Sequence, residues 1–380
     1  MSLWYIHCCC LRNFTKIGVF QVILITNKVK TCDNLKDQRL SQAGLNYQAK
    51  LSEFLKPELE LSLVPAFLDY NYDNEEGSKH IFVNTIPRKG RFSRFLRYIT
   101  DSFKLFFLTC SSKEKSVLIY NLDIHNLLFL FLNIIFSGKK NYIIVADYIV
   151  HKNHFTKFVF DFVYKKVDGV IVLNDKICIN KNTQLLAGLV RSEDVVEPSQ
   201  FIPGTDAIFS GSLGKTTGFE LCLEAFSKLP DIKLNISGKP YHYSEEDFNS
   251  IINEYGSFEN IKFHGLIAMD EYKDLLKQSE IAFSLRDPAD VEHDFNFPSK
   301  ILEYLAAGKF VISSKKYSFI PDGILFYCEF NSDSLVKAVK KVQSLSLEEQ
   351  EAYKVKVYKF IMDNFTESRL KDCLIRLEND

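Results

Sequence analysis

Short apolar segments alternate with longer segments of helical pattern along most of the 380-residue chain. In the first half, the segments with the character of buried strands are 19–29, 59–65, 80–85, 116–122, 142–146 and 169–173. In the second half they are 207–210, 232–237, 261–264, 281–285 and 310–313. Strands that alternate with helices in this way favour parallel sheets with helices on both faces. The sequence therefore predicts an α/β protein with doubly wound sheets.

A non-periodic stretch with two prolines, residues 197–204, separates the two halves and suits a hinge. The chain is longer than one ordinary core accommodates, so two domains are expected. We predict one Rossmann-like domain over residues 1–200 and a second over 201–345. Residues 346–380 are predicted to be a helical segment that closes the second domain. Two domains imply a cleft between them.

The composition excludes several classes of function. A formal net charge of -1 argues against nucleic acid as a partner, because proteins that grip phosphate backbones carry a large basic excess. The nine cysteines include no CxxC pair, so neither a zinc site nor a disulfide framework is predicted. The longest central apolar stretch, 127–136, has about half of the ~20 residues that a spanning helix needs. We expect a cytoplasmic protein, either free or peripheral at the inner face of the membrane.

A glycine-rich segment, residues 210–218, follows the first strand of the second half. Its three glycines, its hydroxyls and Lys215 suit the binding of a phosphate group. A Walker A loop would need a glycine at Phe209, so the match to that motif is incomplete. Gly238 and Gly265 end the next two strands, where the backbone can approach a flat ligand closely. A structural turn explains either of these glycines equally well.

A fourth strand exit passes through Arg286 and reaches a helix that begins at Pro298 and Ser299. Proline is favourable at a helix start, and the free N–H groups there attract an anion, to which Lys300 adds a full positive charge. Glu303 projects near the same end, where a carboxylate can accept hydrogen bonds from the vicinal diol of a ribose. The helix dipole explains a glutamate at this position equally well.

Four motifs occur in order: IFSGSLGKTTGFELCLEAF, NIKFHG, EYKDLLKQSEIAFSLR and FPSKILEYLAAGKFVISS. Together they resemble the donor half of retaining GT-B glycosyltransferases of family 4, also called group 1, of the type that builds bacterial surface polysaccharides. The resemblance covers about residues 206–314. It implies two Rossmann-like domains facing across a cleft and a UDP- or GDP-linked sugar as donor. It also implies a glycan or lipid-linked glycan as acceptor, as in capsule or O-antigen synthesis.

Carried onto this chain, the resemblance implies that Glu303 holds the nucleotide ribose. Gly211 and Ser212 would lie beside the diphosphate, and Gly238 and Leu266 would flank the base. Pro298, Ser299 and Lys215 complete the predicted donor site.

Two departures from the family affect this assignment. Phe295 stands where many relatives have a glutamate, and Ser212 and Thr217 replace the usual arginine and lysine. A diphosphate left without a cation in a closed cleft would cost several kcal/mol. The cations that remain to neutralise it are Arg286, Lys300 and Lys215. We expect the first two to stabilise the departing diphosphate, so that no metal or other cofactor is required.

The first half offers fewer candidates. Asn121 and His125 follow a predicted strand at a place where relatives carry a histidine that faces the donor sugar, so both are candidate catalytic residues. A cap or a surface position explains a lone histidine near a helix start as well. Asp147 is a further polar residue at a strand exit.

Residues 88–107 interleave cations with aromatic side chains. Basic, aromatic helices tend to lie in anionic membrane surfaces, which predicts a membrane-binding segment here. The alternative is a helix with its aromatic residues packed inward and its basic face in water. Both interpretations remain open from the sequence.

Two alternative functions remain open as well. The absence of the usual glutamate at Phe295 favours a non-catalytic GT-B protein that binds a nucleotide sugar and assists a partner. A nucleotide-sugar epimerase would need acid and base groups around the sugar, for which Glu292 and Asp294 are the candidates.

Overall fold

The computed structural model describes residues 22–27, 42–64, 72, 74, 77–84, 90–146, 154–201, 204–290 and 298–379. Some residues of the sequence predictions lie outside these ranges: 88–89, Asp147, Glu292, Asp294 and Phe295.

Seven parallel strands form the sheet of the first half. They are β1 Val22–Thr26, β2 Leu59–Leu63, β3 His80–Val83, β4 Ser116–Tyr120, β5 Lys140–Val145, β6 Gly169–Val172 and β7 Thr183–Leu185. Their order is β3-β2-β1-β4-β5-β6-β7. Every residue of β1 and β4 is buried, because helices cover both faces of a sheet of this type. The six predicted strands are confirmed. β7 was not predicted because its sequence, Thr-Gln-Leu, has no apolar run.

Four helices of the first half are described: α1 Gln42–Leu55, α2 Arg91–Ser111, α3 Ile124–Phe136 and α4 His154–Lys166. Helices α2, α3 and α4 contribute Leu105, Phe129 and Phe160 to a core on one face of the sheet. Helix α1 packs on the opposite face through Leu51 and Leu55. The crossovers between parallel strands are right-handed, which decides the face on which each helix lies. The connection through α1 leads from β1 toward one edge of the sheet, to β2. The connections through α2, α3 and α4 lead toward the other edge, so these helices lie on the opposite face.

The second half contains a six-stranded parallel sheet of order β10-β9-β8-β11-β12-β13. Its strands are β8 Asp206–Leu213, β9 Leu234–Pro240, β10 Ile261–Gly265, β11 Ser279–Ser284, β12 Phe310–Ser313 and β13 Phe326–Tyr327. Its helices are α5 Phe219–Ser227, α6 Glu245–Tyr255, α7 Met269–Gln278, α8 Ser299–Ala306, α9 Ser332–Gln343, α10 Leu347–Phe365 and α11 Glu367–Asn379. Two doubly wound sheets are thus confirmed.

The C-terminal segment departs from the single helix that its pattern suggested. Helix α10 ends before Thr366, whose backbone is extended and whose hydroxyl donates to the carbonyl of Met362 at 2.8 Å. Helix α11 then turns back to the sheet of the first half, where Leu370 and Leu374 pack with Val22 and Leu24. The last helix of the chain therefore belongs to the core of the first half.

Helix α2 tests one of the two interpretations of the basic aromatic segment, the one in which its aromatic residues pack inward. Phe92, Phe95, Phe103 and Phe107 are exposed, so packing of the aromatic residues inward is wrong for these four side chains. Arg97, one of the cations of this segment, does not lie on a solvated basic face. Its side chain is buried and forms a 3.1 Å ion pair with Asp101.

Candidate active site

Polar and glycine residues of the second half gather at one edge of its sheet. All the strands of this sheet are parallel, so their carboxyl ends meet there. Helix α8 lies between β11 and β12 in sequence, so its N-terminus comes to the same edge. Ligands of open α/β sheets bind outside the carboxyl ends of the strands.

Gly211, Ser212 and Gly238 lie in paired strands rather than in loops, which corrects the predicted ends of β8 and β9. The two strands stay in register to their ends, with Gly211 opposite Gly238 and Ser212 opposite Lys239. A Cβ atom at Gly238 would overlap the carbonyl oxygen of Gly211, whereas one at Gly211 would meet open space. The two glycines therefore make a closely spaced backbone platform at the edge of the sheet.

The loop itself is residues 214–218, and it is tied to the exit of β11. Gly218 has a φ of 75° and lies so close to Leu285 that a side chain would not fit. The backbone N–H of Asp287 donates to the carbonyl of Thr216 at 2.9 Å. Lys215, by contrast, points outward: its side chain is 76% exposed and its Nζ lies 4.0 Å from a carboxylate oxygen of Glu220.

Arg286 follows β11 and is half-buried beside this loop. Its backbone N–H donates to the hydroxyl of Ser314 at 2.7 Å, and that hydroxyl donates back to the carbonyl of Arg286 at 2.8 Å. Burial lowers the pKa of the guanidinium, and the nearby Tyr317 and Asp290 partly oppose this shift. Within the described residues, no carboxylate lies within ion-pair distance of Arg286. Its charge is thus available to an anion.

Lys300, in the first turn of α8, forms an ion pair with Glu303, three residues further along the helix. The Nζ of Lys300 lies 2.9 Å from Oε2 of Glu303, and both side chains are about one-third exposed. The same Nζ lies 4.1 Å from the centre of the Tyr272 ring, which is a cation–π distance. Burial raises the pKa of the Tyr272 phenol, and the negative charge of Glu303 adds to the shift.

Tyr272 and Tyr304 were not predicted from the sequence. Tyr304 is fully buried, and its hydroxyl lies 2.8 Å from that of Ser210, which fastens α8 to β8. The sequence signal available for Tyr272 was its place in the first turn of the helix that follows β10. The first turn of this helix, α7, lies at the same edge of the sheet.

The start of α8 has little side-chain capping. Its N-cap residue is Pro298, which is buried and has no side-chain oxygen to offer, while Ser299 at the first helical position is exposed. Leu266, just beyond β10, is 74% exposed. It follows Gly265, which has a φ of 66°. The predicted base-flanking residue therefore lies at the surface of this edge.

Glu303 also has an electrostatic link to the first half of the chain. Burial lowers the pKa of Lys50 on α1, the charge of Arg191 lowers it further, and Glu303 is among the carboxylates that oppose these effects. Lys50 donates to the carbonyl of Leu189 at 2.8 Å, in the connection between the two sheets. The charge of Glu303 therefore acts on a group of the first half.

Asn121 and His125 lie at the carboxyl end of β4, where they contact the neighbouring strand and helix ends. Asn121 has a φ of 56°, and its side-chain oxygen accepts from the N–H of Ala146 at 2.7 Å, which joins the ends of β4 and β5. His125 lies in the first turn of α3, where its N–H donates to the capping carboxylate of Asp123 at 2.8 Å. The imidazole of His125 is half-buried.

Across the described ranges, no group of three or more histidine, cysteine, aspartate and glutamate side chains is placed to hold a metal ion.

Residues 203–360 match the family model described as Glycosyl transferases group 1. The chain is a glycosyltransferase with the GT-B fold. The matched segment contains β8 to β13, so the edge that carries Arg286 and Glu303 lies within it. No curated protein sequence matched the chain.

Solved structures resemble the whole glycosyltransferase. A glycosyltransferase from Rickettsia africae has a TM-score of 0.67 at 14% identity, with 94% of this chain and 98% of that chain covered. Sucrose-phosphate synthase from Thermosynechococcus elongatus has a TM-score of 0.65 at 13% identity, with the same coverage of 94% and 98%. The E. coli trehalose-6-phosphate protein bound with UDP-2-fluoro glucose has a TM-score of 0.63 at 10% identity, covering 93% and 98%. At these identities the likeness concerns the fold.

Proposed function

We propose that this glycosyltransferase moves a sugar residue from a UDP- or GDP-sugar to a glycan or lipid-linked glycan. The acceptor belongs to a surface polysaccharide such as capsule or O-antigen, and the enzyme works in the cytoplasm at the inner face of the membrane. Transfer proceeds with retention of configuration, as the resemblance to family 4 implies, and needs no metal or other cofactor.

The observation that carries the proposal is Arg286. A half-buried guanidinium without a carboxylate partner among the described residues is costly unless an anion binds there. A nucleoside diphosphate is an anion of the right chemistry, and the glycine platform of Gly211 and Gly238 leaves room for it beside the strand ends. The UDP-sugar held by the E. coli structure supports UDP as the first donor to test.

The ion pair on α8 gives the donor two further contacts. Glu303 accepts hydrogen bonds from the ribose diol, while Lys300 turns toward the diphosphate from its position over the Tyr272 ring. Negative charge on the diphosphate grows as the sugar leaves, so Arg286 and Lys300 stabilise the transition state more than the bound donor. His125 and Asn121 of the first half then contribute to the reacting sugar from across the cleft.

The test compares Arg286→Ala and Lys300→Ala with Lys215→Ala. The first two variants should lower the turnover of UDP-sugar hydrolysis or transfer more than they lower donor affinity. Lys215→Ala is the matched control, since its exposed amine lies beside Glu220, and it should resemble the parent protein. If Lys215→Ala proves the most damaging of the three, the loop 214–218 is the phosphate clamp and the assignment is wrong.

Donor binding alone does not establish transfer. UDP, GDP and their sugars should first be screened for thermal stabilisation of the protein, which identifies the base. A protein that is stabilised by a nucleotide sugar but never hydrolyses or transfers it would be a non-catalytic binding partner, and the proposal would fail.

A further inference from the structure

Helix α2 buries four polar residues and exposes four phenylalanines. Its buried residues are Arg97, Asp101, Ser102, Leu105 and Thr109. Its outward phenylalanines, with exposures from 42% to 75%, are Phe92, Phe95, Phe103 and Phe107. A surface helix in water shows the opposite arrangement, with its apolar stripe toward the core. The outer face of α2 is therefore suited to an apolar environment.

Some of the inward polar groups have partners within the protein, whereas Nη1 of Arg97 and the hydroxyl of Thr109 are buried without a hydrogen-bond partner among the described residues. Arg97 pairs with Asp101 at 3.1 Å and also donates to the carbonyl of Val64 at 3.4 Å. The hydroxyl of Ser102 donates to the carbonyl of Tyr98 at 2.8 Å. Of these contacts, the one to Val64 leaves the helix, and it joins the inner face of α2 to the residue that follows β2.

Helices α3 and α4 extend this surface. All three helices pack on the same face of the sheet, and the N–H of Leu128 on α3 donates to the hydroxyl of Tyr98 on α2 at 3.2 Å. They carry twelve of the eighteen exposed large hydrophobic residues in the described part of the chain, including all nine exposed phenylalanines. Those on α3 and α4 are Ile124, Phe131, Ile135, Phe136, Phe155, Phe158 and Phe162. Monomeric soluble proteins rarely expose apolar patches of this kind. We call the outer surface of α2, α3 and α4 the three-helix face.

The charges on the three-helix face are mostly positive. Apart from the buried pair of Arg97 and Asp101, the three helices carry six cations and one carboxylate, in a chain whose net charge is -1. The cations are Arg91, Arg94, Lys104, Lys157, Lys165 and Lys166. The carboxylate, Asp161, is paired with Lys157 at 2.6 Å.

The exposed apolar residues and the positive charges together favour one binding partner for the three-helix face. Two copies of the three-helix face would bring like charges together, which disfavours a symmetric dimer. Aromatic side chains bordered by cations match the interface of a bilayer with anionic headgroups. Within the described residues, no helix has both the length and the apolar character needed to cross a membrane, so a surface contact is the available mode.

We propose that the three-helix face docks on an anionic lipid bilayer, with its phenylalanines below the headgroups and its cations among them. Docking would bring the first half of the enzyme to an acceptor carried by a lipid. The link to a lipid-linked acceptor rests on the proposed function. The contact with lipid does not, since it requires no nucleotide-sugar donor.

Sedimentation with vesicles of phosphatidylcholine, with and without phosphatidylglycerol, tests the proposal. The full chain should sediment with the anionic vesicles at low salt and be partly released as salt rises. Arg91→Glu/Arg94→Glu/Lys104→Glu should weaken this binding at least about a hundredfold, given the usual attraction of each cation to such a surface. Arg97 is left unchanged because its replacement would unpair Asp101 inside the protein.

A second variant measures the contribution of the exposed phenylalanines to vesicle binding. Phe95→Ser/Phe103→Ser/Phe107→Ser should abolish the part of the binding that resists salt. The matched control, Leu347→Ser/Val355→Ser on α10, removes exposed apolar residues from the other half and should bind like the parent. All of these side chains are largely exposed, so the thermal unfolding of the variants should remain close to that of the parent.

Three results would overturn the proposal. The parent protein could fail to sediment with anionic vesicles, or the control could lose binding as the phenylalanine variant does. Alternatively, light scattering could show a dimer that only the phenylalanine variant disrupts, which would make the three-helix face a protein interface. Donor hydrolysis, measured without lipid, should be the same in all variants. Its absence from the parent would count against the proposed function and leave the vesicle result intact.

Discussion

Replacement of Tyr272 tests whether the ring beneath Lys300 matters for catalysis. The Nζ of Lys300 lies 4.1 Å from the ring centre and 2.9 Å from Glu303, so the ammonium group is held from two sides. Tyr272→Leu removes the aromatic face but keeps an apolar side chain, whereas Tyr272→Phe keeps the face and removes only the hydroxyl. We expect the leucine variant to lose activity and the phenylalanine variant to retain most of it.

The size of the effect follows from the exposure of the lysine. Cation–π contacts contribute about 0.5–1 kcal/mol at exposed sites and about 2 kcal/mol when desolvated. The Lys300 side chain is 34% exposed, which places this contact near the middle of that range. A loss of about 1 kcal/mol corresponds to a roughly fivefold lower kcat/KM for the leucine variant. Steady-state transfer or hydrolysis of the donor identified by thermal stabilisation is the assay.

A double-mutant cycle with Lys300→Met isolates the contact. If the ring acts through Lys300, Tyr272→Leu should cost little once the lysine is gone. Equal losses for the phenylalanine and leucine variants would mean that the buried hydroxyl, and not the aromatic face, is what counts. An unchanged kcat/KM in Tyr272→Leu would refute the reasoning outright, provided that thermal unfolding shows a folded protein.

Three further predictions concern the same half of the molecule. Glu303→Ala should weaken donor binding by the ~1.5 to 3 kcal/mol of a charge-assisted hydrogen bond, and equal calorimetric affinities for variant and parent would exclude the ribose contact. Gly238→Ala should destabilise the protein by more than about 2 kcal/mol in urea unfolding, because its Cβ would overlap the backbone of β8, whereas Gly265→Ala meets open space and should cost only about 1 to 2 kcal/mol. Burial lowers the pKa of Lys309 to about 8, so the folded chain binds this proton less readily than the unfolded chain. The destabilisation caused by burying the charge of Lys309 is fully present below pH 8 and disappears as the pH rises toward the ordinary lysine pKa. Lys309→Met should therefore raise the free energy of unfolding by at most about 3 kcal/mol at pH 7 and by little near pH 10.

The alternation of strands and helices could be predicted because buried parallel strands are continuous apolar runs. The strand 310–313 was placed at its observed bounds. The extension of β8 and β9 was missed, since the sequence Ser-Gly-Ser suggests a turn when it is taken alone. What stabilises it as a strand is its pairing with β9, a contact between segments distant in sequence.

The candidate site was predicted less completely. Arg286, Lys300 and Glu303 could be chosen from charge and from the predicted helix start, and the structure brings all three to one edge of the sheet. The position of the Tyr272 ring under Lys300 could not be predicted, because the contact joins the first turns of two different helices. The orientation of α2 was also beyond the sequence: its pattern shows two faces, and the structure places Arg97 on the inner one, where it donates to the carbonyl of Val64.

The return of α11 to the first sheet has a consequence for synthesis of the protein. Leu370, Cys373, Leu374 and Leu377 complete a core whose other members include Val22 and Leu51, more than 300 residues earlier. The hydroxyl of Tyr142 and the amide of Asn182 both donate to the carbonyl of Leu377, at 3.5 and 2.9 Å. During translation, the first half leaves the ribosome long before this helix exists, and one face of its sheet remains partly uncovered until α11 emerges. The nascent first half therefore completes this core only after α11 has been made, and a chain truncated before this helix would leave that face open to aggregation.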